Sequence, residues 1–453
     1  TYSTLEIGDS DKLENFDYLS AIGFLPENIN SLEGFSRPNK TNNPKGKVVQ
    51  TFGFVLGIHP QAQPDFPFIY TTASFGPGFS GGPVVNKKNQ VIGIATVEGR
   101  SINLALSIRG IRALKEIGIY SEIKTLIMPM NGRMIHDLSG KTSLQPYGQK
   151  TNEVIYSISR AELNKQLMSK AEETGKIKIF FDHDLIEADL NNKFLLFNNQ
   201  NKISFNTVIG CDGSSSVLRD EIISNTSAKY LKKPLGHGYK ELTIPSFSNK
   251  FKIDSSALHI WPRGNFMLIA LPNMDKSFTC TLFMPLKGET SFETIKNNNE
   301  VTNLFKTYFP DVLELIPTLH FDFLNNPTGE LASIYLNPWH FDDRALLIGD
   351  AAHAIVPFFG QGMNASFQDC TVLNKLINTE KYDWGRIFSR FSKEHVKNGH
   401  AIADMAIENY EEMRDSVNKS KYHAQRKLEF ALEQRIPNKF IPRYSMVSFS
   451  EKP

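Results

Sequence analysis

Cysteine is scarce. The 453 residues hold three, Cys211, Cys280 and Cys370, set far apart. Their spacing makes neither a metal motif nor a disulfide framework and points to a reducing compartment. No apolar run approaches the roughly 20 residues that a membrane-spanning helix needs. Charge of neither sign dominates: Lys+Arg is 50 and Asp+Glu 48, a net of +2. That balance gives no footprint for nucleic acid and no acidic tail. Internal repeats and low-complexity tracts are absent. The opening Thr-Tyr-Ser-Thr-Leu-Glu lacks an initiating Met and is not a signal peptide, so the expected start lies upstream. What is present is ordinary globular material, 40% hydrophobic and 22% charged. The length suits about three domains with sizeable cores.

Character changes near residue 98. Before it, short apolar runs at 18–24, 48–58, 68–73, 84–85 and 91–97 alternate with Gly, Pro and Asn, which predicts all-β structure. After it, helical and strand periods alternate, which predicts α/β structure. Helices are expected over 109–117 and 160–174, and buried strands over 177–181, 208–210 and 345–349. An antiparallel meander is expected over 259–261, 266–271 and 277–284. From 385 to 435 the pattern is almost continuously helical, with a break near 418–420.

In the first segment, Gly78-Phe79-Ser80-Gly81-Gly82-Pro83-Val84-Val85 is followed by Val91-Ile92-Gly93-Ile94. The run resembles the nucleophile loop of trypsin-like serine proteases, with the amides of Gly78 and Ser80 facing one oxyanion. Leu5-Glu6-Ile7-Gly8-Asp9-Ser10 and Ala21-Ile22-Gly23-Phe24 resemble the HtrA branch. The resemblance covers residues 2–97, the second barrel of that fold. A triad also needs a His and an Asp, which in that family lie upstream; His59 lacks their context and reads as a loop histidine. Gly76-Pro77-Gly78-Phe79-Ser80-Gly81 also fits G-x-G-x-x-G, with Glu98 downstream. A dinucleotide fingerprint requires a helix directly after the glycines, and the Pro-containing 82–90 reads as a turn instead.

The main segment carries two strand–turn–helix units. Leu347-Ile348-Gly349-Asp350-Ala351-Ala352-His353 is a buried strand ending in Gly-Asp, followed by a helix opening at Met363-Asn364. A carboxylate at a strand's carboxyl end can accept a ribose hydroxyl, and helix amides suit negative charge on a reduced flavin ring. Thr207-Val208-Ile209-Gly210-Cys211-Asp212-Gly213 is the second unit. With a β-meander between them, the pair resembles the FAD-dependent aromatic hydroxylases.

Gln145-Pro146-Tyr147-Gly148, Ser157-Ile158-Ser159-Arg160, Gly238-Tyr239-Lys240-Glu241-Leu242 and His259-Ile260-Trp261-Pro262-Arg263 narrow the match, as does Gly99-Arg100-Ser101-Ile102-Asn103-Leu104-Ala105-Leu106. Residues 99–453 resemble the kynurenine 3-monooxygenase family. The resemblance implies hydroxylation of L-kynurenine to 3-hydroxykynurenine with FAD, NADPH and O2 through a flavin C4a-hydroperoxide, a step of tryptophan catabolism and NAD biosynthesis. It assigns substrate contacts to Arg133, Tyr147, Asn409 and Tyr444. It assigns flavin contacts to Ala105, Arg160, Leu185, Val217, Asp350, Met363 and Asn364. Val217 departs from the hydroxyl residue usual at its position. Phe358 and Phe359 would wall the pocket, and no metal is implied.

The implied fold class is mixed α/β. A trypsin-like all-β half (1–97) precedes an FAD-binding domain in two parts (98–231 and 331–380). An antiparallel substrate sheet (232–330) is inserted between those parts, and a helical region (381–453) follows. The family's opening βαβ unit, with its G-x-G-x-x-G turn, finds no counterpart before residue 99, so an incomplete dinucleotide-binding domain is expected. Two other readings stay open: a serine protease fragment, and an inactive chimera that keeps a kynurenine pocket. The expected location is cytoplasmic, or the mitochondrial outer membrane if a C-terminal anchor follows.

Overall fold

The computed structural model describes residues 103–150 and 152–450, together with the backbone of five strands in the first hundred residues. The chain forms two compact units, Thr1–Arg100 and Ser101–Pro453.

In the first unit, β1 (Tyr18–Leu25), β2 (Lys47–His59), β3 (Phe68–Thr71), β4 (Pro83–Asn86) and β5 (Val91–Ile94) form one antiparallel sheet in the order β3-β2-β1-β4-β5. β4 starts directly after Gly82 and pairs with β1 and β5. A strand where a dinucleotide fingerprint needs a helix removes that reading of the glycine run. Residues 76–82, including Ser80, lie outside the described residues, as do Glu98 and the side chain of His59.

The second unit begins with β6 (Asn103–Leu106), α1 (Ile108–Glu116), α2 (Tyr120–Ile123), β7 (Ile127–Met130), β8 (Gly132–His136), β9 (Thr142–Pro146), β10 (Ile155–Ser159) and α3 (Arg160–Glu173). Next come β11 (Leu185–Asp189), β12 (Phe194–Phe197), β13 (Lys202–Ser204), β14 (Val208–Gly210), α4 (Val217–Asn225) and the long β15 (Lys229–Ile244). The meander is β16 (Leu258–Pro262), β17 (Met267–Pro272) and β18 (Phe278–Pro285), followed by α5 (Asn298–Tyr308), α6 (Leu319–Asn325), β19 (Gly329–Asn337), β20 (His340–Phe341) and β21 (Ala345–Leu347). The remainder is helical: α7 (Asp350–His353), a 3-10 turn (Pro357–Phe359), α8 (Gly362–Thr379), α9 (Trp384–Arg414), α10 (Ser420–Arg435) and α11 (Arg443–Phe449). Among the described residues no helix is long and apolar enough to cross a membrane.

A seven-stranded sheet, β19-β15-β18-β17-β16-β8-β9, organises this unit. Side chains alternate across it. Trp261, Leu268, Phe278, Cys280 and Leu282 face one way and pack with Val301 and Phe305 of α5 and Phe323 of α6. Leu258, Ile260, Met267 and Phe283 face the other way and pack with Phe358, Phe359 and Tyr410. Full burial of a side chain such as Phe305 contributes about 2 kcal/mol. β14 and β21 pair in parallel, Val208 opposite Ala345, so the two strand–turn–helix units end side by side.

One expected strand is not formed. Residues 177–181 lie outside any strand, and Ile177, Phe180 and Phe181 are exposed. No strand pairs with this stretch among the described residues, and an extended segment without a ladder is not a strand. The chain pairs a little later, in an antiparallel sheet of β11, β12 and β13 that the sequence pattern did not signal.

A buried imidazole pair sits on the helix-covered face of the large sheet. His259 Nε2 lies 2.6 Å from the Asp254 carbonyl, so it carries the proton and donates. His259 Nδ1 is then the acceptor for His136 Nε2 at 2.8 Å. His136 Nδ1 faces Asp311 Oδ2 at 3.1 Å, and Trp261 Nε1 donates to the same oxygen at 2.7 Å. Burial is the main cause that lowers the His259 pKa to about 4, with His136 adding to it and Asp254 opposing. A depressed histidine pKa stabilises the fold above about pH 6.5 and loses that contribution as pH falls toward 4. The expected loss is about 3 kcal/mol over that window. Urea unfolding of wild type and His259→Gln at pH 7 and pH 4.5 measures it. The variant should show the shallower pH dependence, and equal slopes would remove His259 as the source.

Candidate active site

Ala105 lies on β6, which pairs with β10 through Ala105 opposite Ser157. The third residue of α8, Asn364, is 1% exposed and staples this strand to the helix. Its Oδ1 accepts from the Ser107 amide at 3.0 Å. Its Nδ2 donates to the Ala105 carbonyl at 2.9 Å and to the Gly360 carbonyl at 2.8 Å. Gly360 sits at φ +65°, and a Cβ there would come within 2.8 Å of the Ala105 Cβ, so only glycine fits. No side chain caps α8, so the amides of Gly362, Met363 and Asn364 are the free amides of its first turn.

Asp350 opens α7 just after β21, preceded by Gly349 at φ +58°. It remains exposed at the surface. Partial desolvation by the surrounding protein raises its pKa, and His353 and Arg160 act against that shift. Arg160, the first residue of α3, is itself exposed. Val217 is the first residue of α4 behind the N-cap Ser216. Asp212 holds that turn by accepting from Ser216 Oγ at 2.6 Å and the Leu218 amide at 3.3 Å. Arg219 then donates to the Ala351 carbonyl at 3.3 Å, joining α4 to the Asp350 turn. Leu185, at the head of β11, packs on the apolar cluster beneath β21 and α7. The residues expected to contact flavin thus fall in two groups. Ala105, Met363 and Asn364 form one; Asp350, Arg160, Val217 and Leu185 surround the other.

Arg133, Tyr147, Asn409 and Tyr444 line a single cavity of about 430 Å³. Arg133 stands on β8, 6% exposed, and donates to Asn409 Oδ1 at 3.2 Å. The Tyr444 ring lies 5.0 Å from its guanidinium. Tyr147 stacks on Tyr444 at 5.3 Å and 8°, and Phe359 stacks on Tyr444 at 5.2 Å. Burial works against the Arg133 charge, but Tyr422, Glu412 and Tyr444 raise its pKa, so it stays a cation. Burial also raises the pKa values of Tyr147 and Tyr444, which stay neutral phenols.

Sequence reasoning missed Glu412. Its Oε1 lies 2.8 Å from Arg133 and accepts from the Tyr422 hydroxyl at 3.1 Å. Helical spacing held the signal: Asn409, Glu412 and Met413 share one face of α9. Asn409 Nδ2 lies 3.2 Å from Met413 Sδ and donates to the Phe358 carbonyl at 2.6 Å. That last bond ties the cavity to the 3-10 turn leading into α8. Arg426 of α10 also reaches in, donating to the Tyr147 carbonyl at 3.2 Å.

Residues 95–384 match the FAD binding domain family, and residues 1–94 match the trypsin-like peptidase domain family. Kynurenine 3-monooxygenase of Dictyostelium discoideum is 41% identical over 371 residues, spanning 79% of this chain and 81% of the relative. The chain belongs to the kynurenine 3-monooxygenase family. The Myxococcus xanthus member is 43% identical over 361 residues, 78% of each chain. The Sus scrofa member is 43% identical over 358 residues, 78% of this chain and 75% of its own. Solved structures extend the likeness of fold. Klebsiella pneumoniae HpxO, complexed with FAD and uric acid, aligns with a TM-score of 0.58 at 17% identity, over 76% of this chain and 87% of that one. The tetrameric 2-methyl-3-hydroxypyridine-5-carboxylic acid oxygenase aligns with a TM-score of 0.56 at 16% identity, over 77% and 90%. The mixed α/β fold expected from the sequence is therefore the fold of FAD-binding hydroxylases.

Proposed function

We propose that this kynurenine 3-monooxygenase family member hydroxylates L-kynurenine to 3-hydroxykynurenine, using FAD, NADPH and O2. The observation that carries this reading is Arg133, a buried and permanently charged guanidinium in an aromatic-walled cavity that shares a turn with the flavin-side helix.

The residues around Ala105 and α8 fit the flavin ring. Gly360 allows the turn before α8 to pack directly on Ala105, and the uncapped α8 terminus offers amides to an anionic ring edge. Asp350 offers an exposed carboxylate to a sugar or ribityl hydroxyl. When bound, FAD supplies the electron transfer from NADPH and the activation of O2. No glycine-rich turn for the pyrophosphate lies among the described residues, and Arg160, Val217 and Leu185 would meet the nucleotide end.

Arg133 binds the substrate α-carboxylate through its planar fork, assisted by Asn409. Glu412 occupies the fork in this structure and turns toward the substrate's ammonium when the carboxylate arrives. Tyr147, Tyr444 and Phe359 pack the aromatic ring and displace water, which protects reactive oxygen chemistry from side reactions. Of the two phenylalanines expected to wall the pocket, Phe359 lines the cavity, whereas Phe358 stacks on Tyr410 at 3.9 Å in the apolar core.

Purification of the full chain with added FAD, followed by visible absorbance and kynurenine-stimulated NADPH oxidation, tests the reading. Stoichiometric flavin with 3-hydroxykynurenine as product is expected. Bound flavin without any kynurenine-dependent turnover would overturn the substrate assignment, and a colourless protein would overturn the cofactor assignment.

A further inference from the structure

The Gly349–Asp350 turn is held from behind by a residue outside the flavin contacts. Asp369 lies on α8, five residues after Asn364, and is 2% exposed. Its Oδ2 accepts from the Gly349 amide at 2.8 Å and from His353 Nε2 at 2.6 Å. Gly349 has φ +58° and ψ −145°, a conformation open to glycine and costly for other residues. Its carbonyl accepts from the amides of Ala352 and His353, each at 2.9 Å. One carboxylate oxygen therefore grips both ends of the α7 turn, on whose first residue the Asp350 carboxylate stands. His353 is 2% exposed and packs against Trp339, ring centroids 4.9 Å apart. Burial opposes its charge, but Asp369 and Asp350 raise its pKa above the ordinary histidine value. The groups facing it are Asp369 from α8, His395 from α9, 3.9 Å from Asp369 Oδ1, and Asp350 from its own turn.

We propose that Asp369 is a positioning residue for FAD: together with His353 it holds the Gly349 peptide in its left-handed conformation and so aims the Asp350 carboxylate at the cofactor. The geometry makes α8 a common ruler. Asn364 near its start locates the Ala105 strand, and Asp369 five residues on locates the Asp350 turn. The distance between the two flavin-facing groups is thereby set within one rigid helix. An alternative role, simple filling of a buried polar site, would affect folding without favouring this turn.

The inference rests on the flavin reading, and two measurements separate them. The first is FAD affinity of the full chain by flavin fluorescence titration. Asp369→Ala should weaken FAD about 30-fold, since it leaves a buried amide and a buried imidazole without a partner. Asp369→Asn keeps an acceptor for the Gly349 amide and should stay within about fivefold of wild type. Asp350→Ala alone should weaken FAD, and adding Asp369→Ala to it should cost little more, because the positioning then has nothing to aim. Additive losses in that cycle would overturn the proposal. The second measurement is hydrogen exchange in the FAD-free chain. Asp369→Ala, or His353→Gln if the first variant fails to fold, should lose protection in the peptide spanning 347–356 before elsewhere. Unchanged protection there refutes the hold of Asp369 on the turn whether or not wild type binds FAD, whereas absent FAD binding by wild type refutes the cofactor reading and with it the positioning of FAD.

Discussion

Arg133→Ala is expected to lower kcat/KM for kynurenine by about a thousandfold, most of it in KM, with FAD content unchanged. The magnitude follows from the loss of a buried, hydrogen-bonded charge pair with the substrate carboxylate, typically 2–5 kcal/mol. Arg133→Lys keeps the charge and loses the two-pronged geometry, so it should recover only part of the loss. Little of the effect should reach stability. Glu412, the partner left behind, is 37% exposed on its side chain, so water can resolvate its charge. Steady-state kinetics beside an absorbance spectrum make the check. An unchanged KM would remove Arg133 from the carboxylate site, and a parallel loss of flavin would show that it supports the fold instead.

Asn364→Asp should abolish stoichiometric FAD binding, although it changes a single atom. The native amide donates to two carbonyls, Ala105 and Gly360, and accepts from the Ser107 amide at a site 1% exposed. A carboxylate there keeps the acceptor but faces both carbonyl oxygens with no proton to give. Each lost and unreplaced bond costs about 1–3 kcal/mol, and the buried charge adds to it. We expect FAD affinity to fall at least about a hundredfold and the FAD-free chain to melt at lower temperature. Asn364→Ala should be milder than Asp, because it removes the partners without adding repulsion. Wild-type flavin affinity in Asn364→Asp would mean that the β6–α8 junction does not form the flavin wall.

Motifs were legible wherever chemistry and backbone geometry coincide in a short run. Gly349-Asp350 and Met363-Asn364 announce a strand end and a helix start: β21 stops at Leu347, two residues before the expected end, α7 starts at Asp350, and α8 starts at Gly362, one residue early. The meander residues alternate in hydrophobicity because the sheet has two covered faces, and β16, β17 and β18 follow. The stretch 177–181 shows the limit of that logic. Its composition is that of a buried strand, but a strand exists only where a neighbour supplies the ladder, and composition carries no information about neighbours.

By itself, the sequence determined the class of protein, a trypsin-like β segment followed by an FAD-binding hydroxylase, and it named four polar residues that the fold brings into one cavity. Long, specific motifs are legible because glycine turns, strand ends and helix starts impose local demands that few residues meet. Only the tertiary structure decided that Glu412 occupies the Arg133 fork, that Asn364 staples β6 to α8, and that Asp369 grips the Gly349 turn. Those pairs are separated by 279, 259 and 20 residues along the chain. A hydrogen bond depends on distance and angle in space, and neither is written in the spacing of residues once sheets and helices fold over one another.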